Sequence, residues 1–260
     1  MGGANTFRLS ARARRQLEHL DRVLDVAYGA PAADLDNKQD PLEEAIYIIL
    51  SFQTNLERFK QVWGQLRVAF PSWDSMIRAP LGRIARVLRV GGLQEQKART
   101  IKELLKAVKR ETGSYALDVL QEMDDEEAER FLTRLPGLSW KAARCVLLYS
   151  LDRDVFPIDG NTFRILKRVG VLDPKSVYRR RSLHDGLQHA VDPSRRKSFH
   201  INLVVHGQRT CVPRNPRCSI CVARKMCAMH GVPADFKAEA RHTSDSGSGV
   251  AMASETRALV

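Results

Sequence analysis

The sequence predicts an all-α protein. Apolar residues recur at three- and four-residue spacing along most of the chain, and glycine or proline falls where those stripes stop. No segment keeps the strict alternation of a half-buried strand, and no Asn-Gly hairpin turn occurs. Residues 42–51, LEEAIYIILS, form the first apolar stretch. Phe59, Val62, Trp63, Leu66 and Phe70 then trace one face of an amphipathic helix. Pro80 suits a first helical position before Leu81, Ile84, Val87 and Leu88, and Gly91-Gly92 ends that segment. Ala98, Ile101, Leu104, Leu105 and Val108 mark the next helix, which stops at Gly113. Asp124 is placed to cap a helix carrying Ala128, Phe131, Leu132 and Leu135. Pro136-Gly137 breaks it, and another runs from Trp140 to Leu151. Residues 153–163 read as a connector into a helix with Ile165, Leu166 and Val169, and residues 172–198 as a basic, polar stretch. The chain from 234 to 260 is short of large apolar side chains and reads as a disordered tail.

With 260 residues and 43% hydrophobic side chains, the chain can bury a core of one or two domains. Lysine and arginine number 42 against 30 acids, a formal charge of +12, which points to a polyanionic partner. The longest apolar run, AIYIIL, falls far short of the roughly 18 residues of a membrane span. The N-terminus lacks the apolar core of a secretory signal, so a cytoplasmic, nucleoid-associated protein with no membrane partner is expected.

Four of the five cysteines, Cys211, Cys218, Cys221 and Cys227, fall within 17 residues at C-x6-C-x2-C-x5-C spacing. Four thiolates so close suit a tetrahedral zinc site or an iron–sulfur cubane, and the spacing alone leaves both open. The same loop carries Arg214, Arg217, Arg224 and Lys225 and no acid, which suits contact with phosphates as well as a structural staple.

The segment FLTRLPGLSWKAARCVLLYSL reads as helix, Leu-Pro-Gly turn, helix. Backbone amides in such a turn form an anion site that positions a nucleic acid without reading its sequence. Lys141 sits in the first turn of the second helix, where the helix dipole disfavours an ammonium and would lower its pKa. Asp159 follows shortly after that helix, placed to cap the next one or to move protons.

These residues together resemble the helix-hairpin-helix DNA glycosylases, specifically the endonuclease III branch. The match rests on Leu135-Pro136-Gly137 with Lys141, on IDGNTFR from Ile158 to Arg164, on VVHGQRTC, and on the four-cysteine spacing. ILSFQTN resembles the segment whose glutamine, here Gln53, fills the hole left by a flipped base, and GLQEQKA the segment carrying an intercalating wedge, here Leu93. The resemblance implies a two-lobed fold with a DNA cleft, a six-helix lobe at 34–152, and a cluster lobe from 1–33 and 153–233. It implies a monomer with a [4Fe–4S] cluster on the four cysteines, acting on double-stranded DNA that holds a damaged base or abasic site. Lys141 would attack the sugar C1′ and Asp159 would assist, giving a bifunctional glycosylase/AP lyase for damaged, oxidised pyrimidine bases. Gln53, Leu93, Leu135, Gly137, Ser139, Arg214, Arg217 and Lys225 would contact DNA. Two alternatives are a same-fold glycosylase for mismatched thymine or adenine, modified cytosine or alkylated bases, and a non-catalytic iron–sulfur DNA-binding protein.

Three features depart from the family pattern. Ser139 replaces the hairpin's second glycine, and would cost roughly 1 kcal/mol if positive φ were required there. Gly160-Asn161 after Asp159 is similar to adenine-mismatch glycosylases, and the asparagine also to plant 5-methylcytosine glycosylases. Phe52 and Thr54-Asn55 alter the surroundings of Gln53. Cys145 is expected as a small buried residue, His206 as a packing residue beside the cysteine loop, and Arg179–Arg181 as a solvated face.

Overall fold

A computed structural model describes residues 7–29 and 35–236, so most of the expected tail, residues 237–260, lies outside the described residues. Every regular element among the described residues is helical, and none is long and apolar enough to cross a membrane. Helix α1 (Ala11–Tyr28) starts at the Ser10 cap, and α2 (Pro41–Ser51) at Asp40, whose carboxylate accepts from Glu43 N–H. Helices α3 (Leu56–Ala69), α4 (Trp73–Arg78) and α5 (Leu81–Leu88) follow, then a 3-10 turn over Arg89–Gly91. Pro80 caps α5 from just outside rather than occupying its first turn. Helix α6 (Gln94–Thr112) ends at Gly113 in the left-handed conformation that glycine adopts without strain. Helix α7 (Asp125–Arg134) opens with a full capping box between Asp124 and Glu127, and α8 (Trp140–Ser150) follows the Leu-Pro-Gly turn.

The connector expected over 153–163 is shorter: α9 (Gly160–Val169) already begins at Gly160, because Asp159 caps it. The basic stretch expected over 172–198 contains a helix, α10 (Arg181–Ala190), and the first turn of another, α11 (Arg196–Arg209). Its charged residues conceal a narrow stripe, Leu183, Leu187 and Ala190, that is buried at helical spacing.

Among the described residues, two hydrophobic clusters organise the fold. One draws on α2 through α8, with α2 and α7 packed on α8 and α5 packed on α6. The other gathers α1, α9, α10 and α11, with α1 and α9 against α11, and includes Ala223 of the cysteine loop. A buried ion network joins them. Arg144, on α8 and 2% exposed in its side chain, donates through Nε to Glu129 on α7 at 2.8 Å and through Nη2 to Asp185 on α10. Arg181 of α10 closes the loop at 2.8 Å from Glu129.

Removing Arg144 leaves the buried Glu129 with only the half-exposed Arg181 to offset its charge, and that penalty exceeds the pair's own net worth. Arg144→Ala is therefore expected to lower the unfolding free energy by about 3–5 kcal/mol, measured by urea denaturation. Replacing Arg144 and Glu129 together with Met and Leu should lose far less; equal losses would show that the charges remain solvated.

Candidate active site

The Leu-Pro-Gly turn joins α7 to α8 at the edge of a cavity of about 840 Å³. Gly137 has φ +84°, and a Cβ there would lie 2.3 Å from Thr100 Cγ2 on α6. Only glycine fits that approach. Ser139 adopts φ −82°, ψ 171°, extended backbone that any residue takes, so the strain expected of it does not arise. Its hydroxyl instead caps α8 by accepting from Ala142 N–H at 3.4 Å. Leu135 is buried in the core, which leaves its backbone rather than its side chain for any DNA contact.

Lys141, Cys145 and Tyr149 follow at four-residue spacing on α8 and line one wall of the cavity. Asp159 and Asn161 at the start of α9, Tyr178, and His200 on α11 line another part of it. The structure thus brings Lys141 and Asp159 to one cavity from elements belonging to different clusters. Asp159 accepts twice: Oδ1 from Thr162 N–H at 2.7 Å and Oδ2 from Asn161 Nδ2 at 2.8 Å. It serves as the cap of α9 while facing the cavity.

The electrostatics reverse one expectation. Burial alone would lower the pKa of Lys141, but Cys145, Asp159 and Tyr178 outweigh it and the net direction is upward. Burial pushes the Cys145 thiol up to about 11, so near neutral pH it is uncharged and Asp159 supplies the counter-charge. Burial would raise Asp159, but His200, Lys141 and its two hydrogen bonds hold it below the usual carboxylate range. His200 is itself lowered by burial to about 4, so near pH 7 it is neutral and Lys141 is the lasting cation. The dipole at the start of α8 does not decide the lysine's charge; the carboxylate across the cavity does.

Gln53 and Leu93 stand at the rim of the same cavity, both exposed and both at positive φ, +52° and +50°. Left-handed backbone at non-glycine residues is held only where the surroundings enforce it. Arg214, Arg217 and Lys225 are exposed on the cysteine loop and do not line the cavity.

None of the four loop cysteines is in a disulfide, and all are half buried. Burial together with the neighbouring thiols pushes Cys221 up to about 12 and raises Cys227, so the four sulfurs lie within electrostatic reach of one another. Arg168 Nη1 donates to Cys211 Sγ at 3.4 Å, and Met229 N–H to Cys227 Sγ at 3.4 Å. Arg168 also donates to the carbonyls of Val212 and Pro213, which pins the loop to α9. Among the described residues no group of three or more His, Cys, Asp or Glu converges closely enough to hold a metal ion. An all-thiol donor set with donors aimed at sulfur fits a cubane, whose thiolates spread over a wider shell than those of one ion. His206 is buried, shares a 2.8 Å hydrogen bond with Tyr28, and lies 3.6 Å from Cys221 Sγ.

Sequence reasoning singled out Lys141 but missed Tyr149 and the contact of Cys145 with it, although the 141–145–149 spacing announces a shared helix face. His200 carried no comparable mark.

Because His200 is lowered from 6.5 to about 4, the unfolded chain binds more protons than the folded one between those values. Stability is thus full above about pH 6.5 and falls as pH drops toward 4, by on the order of 3 kcal/mol from this group. His200→Gln should flatten that part of the curve in denaturation measured between pH 4 and 7. An unchanged slope would place the titration elsewhere.

A family model described as HhH-GPD superfamily base excision DNA repair protein matches residues 46–185, a span that includes the hairpin, Lys141 and Asp159 and ends before the cysteine loop. A protein of Arabidopsis thaliana provisionally named a DNA glycosylase is 30% identical over 145 residues, 56% of this chain and 49% of its own length. Endonuclease III of Sulfolobus acidocaldarius is 30% identical over 154 residues, 59% of this chain and 66% of its own. The chain thus spans about half of the plant protein and just under two thirds of the archaeal one. The structure of a non-covalent endonuclease III–DNA complex superimposes with a TM-score of 0.71 at 20% identity, covering 88% of this chain and 98% of the other, a likeness of fold. With the match over more than half its length, the chain belongs to the HhH-GPD superfamily of base excision DNA repair proteins.

Proposed function

We propose that this protein is a DNA glycosylase with AP lyase activity, and that Lys141 and Asp159 carry its chemistry. The observation that supports this most is a single cavity that holds a half-buried lysine and a capping carboxylate, rimmed by the hairpin turn and by Gln53 and Leu93.

A base inside a duplex is out of reach until it is extruded, at the expense of unstacking. Gln53 and Leu93 would enter the duplex where the base leaves, and the hairpin amides would hold a flanking phosphate. Lys141 rests as an ammonium beside Asp159, so it must lose a proton before it attacks. Asp159, ionised and fixed by its bonds from Asn161 and Thr162, would accept that proton. The free amine then forms the C1′–N bond while the C1′–base bond breaks, and the base leaves with its electron pair and takes up a proton. The positive charge left on the sugar lies near the carboxylate as well. The sugar ring then opens, the C1′–O4′ bond breaking as O4′ takes the proton that the amine gives up, which leaves a Schiff base at C1′; loss of a proton from its C2′ expels the 3′ phosphate and nicks the strand. The resemblance to the endonuclease III branch points to oxidised pyrimidines as the bases removed.

The four cysteines would hold a [4Fe–4S] cluster, which when bound braces the loop that presents Arg214, Arg217 and Lys225 to the DNA backbone.

Borohydride reduction on abasic-site duplex DNA should trap a covalent protein–DNA adduct that Lys141→Ala abolishes. Asp159→Asn should slow the reaction by about 10²- to 10⁴-fold. No adduct, or one undiminished by Lys141→Ala, would leave a DNA-binding protein without this chemistry. Protein purified anaerobically should be coloured and contain iron and acid-labile sulfide, both lost in Cys218→Ala/Cys221→Ala; colourless protein with stoichiometric zinc would refute the cluster.

A further inference from the structure

Lys97 lies in the first turn of α6 and is 3% exposed. A buried ammonium ordinarily has a carboxylate beside it. This one has none among its hydrogen-bond partners. Its Nζ donates to Leu50 O at 2.8 Å, Thr54 Oγ1 at 2.6 Å and Gly91 O at 3.0 Å, which uses all three of its protons. Burial without a counter-charge lowers its pKa to about 8.

The three acceptors come from the two segments that carry the exposed, left-handed residues at the cavity rim. Leu50 lies in the last turn of α2 and Thr54 directly follows Gln53. Gly91 ends the 3-10 turn two residues before Leu93. Thr54 Oγ1 also lies 2.6 Å from Gly91 O, so loop and turn are joined directly as well as through the lysine. The carbonyls at the end of α2 lack helical partners and carry the negative end of its dipole, so a cation there satisfies a group that would otherwise be buried unpaired. The cost of burying an uncompensated charge is met where it fixes the separation of Gln53 from Leu93.

We propose that Lys97 is a positioning residue that locks the Gln53 loop to the Leu93 turn, so that the two probes enter a duplex as one rigid unit. The assignment rests on the role proposed above for Gln53 and Leu93 in DNA. A fixed spacing matters because both must occupy one base-pair gap together, and each would otherwise lose freedom separately on binding.

The test uses the full chain and two duplexes, one intact and one with a tetrahydrofuran abasic analogue opposite 2-aminopurine. Affinity for each gives the preference for the gap, and 2-aminopurine fluorescence reports entry of the probes. Gln53→Ala and Leu93→Ala should each lower the preference. Lys97→Met should lower it about tenfold or more and abolish the fluorescence change, and Thr54→Val should act in the same direction. In the Lys97→Met background, adding Gln53→Ala should cost little further, a non-additivity that general destabilisation would not produce. If Lys97→Met fails to fold, Thr54→Val decides the matter. Retained preference and fluorescence in folded Lys97→Met or Thr54→Val, with both lost in the probe variants, would overturn the coupling alone. No effect of Gln53→Ala or Leu93→Ala would overturn the DNA role of the rim, and the coupling with it.

Discussion

A guanidinium almost wholly removed from water fixes the geometry on which the site depends. Arg144 reaches Glu129 on α7 and Asp185 on α10, and it stands one turn after Lys141 on the same helix. Because α8 belongs to one hydrophobic cluster and α10 to the other, this network ties the lysine's helix to the cluster that carries Asp159. Apolar packing is non-directional and would tolerate small sliding between the two clusters. A buried, directed set of ion pairs is far less tolerant, since a slip of one hydrogen-bond length leaves charge uncompensated.

Lys141 and Lys97 show how neighbours, rather than burial, decide what a buried lysine does. Both are penalised by desolvation. Lys141 faces a carboxylate that stays ionised, and its pKa rises. Lys97 faces only carbonyl and hydroxyl oxygens, and its pKa falls. The same side chain is therefore held as a cation by a nearby carboxylate in one place and eased toward neutrality among carbonyl oxygens in the other.

What the sequence made legible follows local rules. Asp124 with Glu127 three residues on, Gly113 after a helical stripe, and the Leu-Pro-Gly break between two apolar runs all state their structure within a few residues. Lys141 and Asp159 were legible as a pair only through their family resemblance, since no local rule brings residues 18 apart to one cavity. The direction of the lysine's pKa shift was illegible because it is set by that non-local partner, and the dipole argument considered only the helix it starts. Whether Ser139 needs positive φ was equally illegible from its neighbours: its backbone is extended, and the turn places its positive φ at Gly137 instead. Helix α10 lay hidden because only Leu183, Leu187 and Ala190 form its apolar stripe, set among polar side chains and just after Arg179 and Arg180. Lys97 looked like any helix-face lysine, and only the end of α2 arriving beside it marks it out.

The absence of a Cβ at Gly137 has a consequence of scale. Its contact with Thr100 seats the hairpin turn against α6, and Leu93 starts that same helix. From Leu93 to Thr100 the axis rises roughly 10 Å, at 1.5 Å per residue. That length is close to three base-pair steps of about 3.4 Å each. Helix α6 therefore acts as a ruler: the distance between the residue at the cavity rim and the turn that would hold a phosphate is set by a rigid rod. Lengthening or shortening α6 between Leu93 and Thr100 would change that distance and, under the proposed role in DNA, where along a strand the backbone would be held.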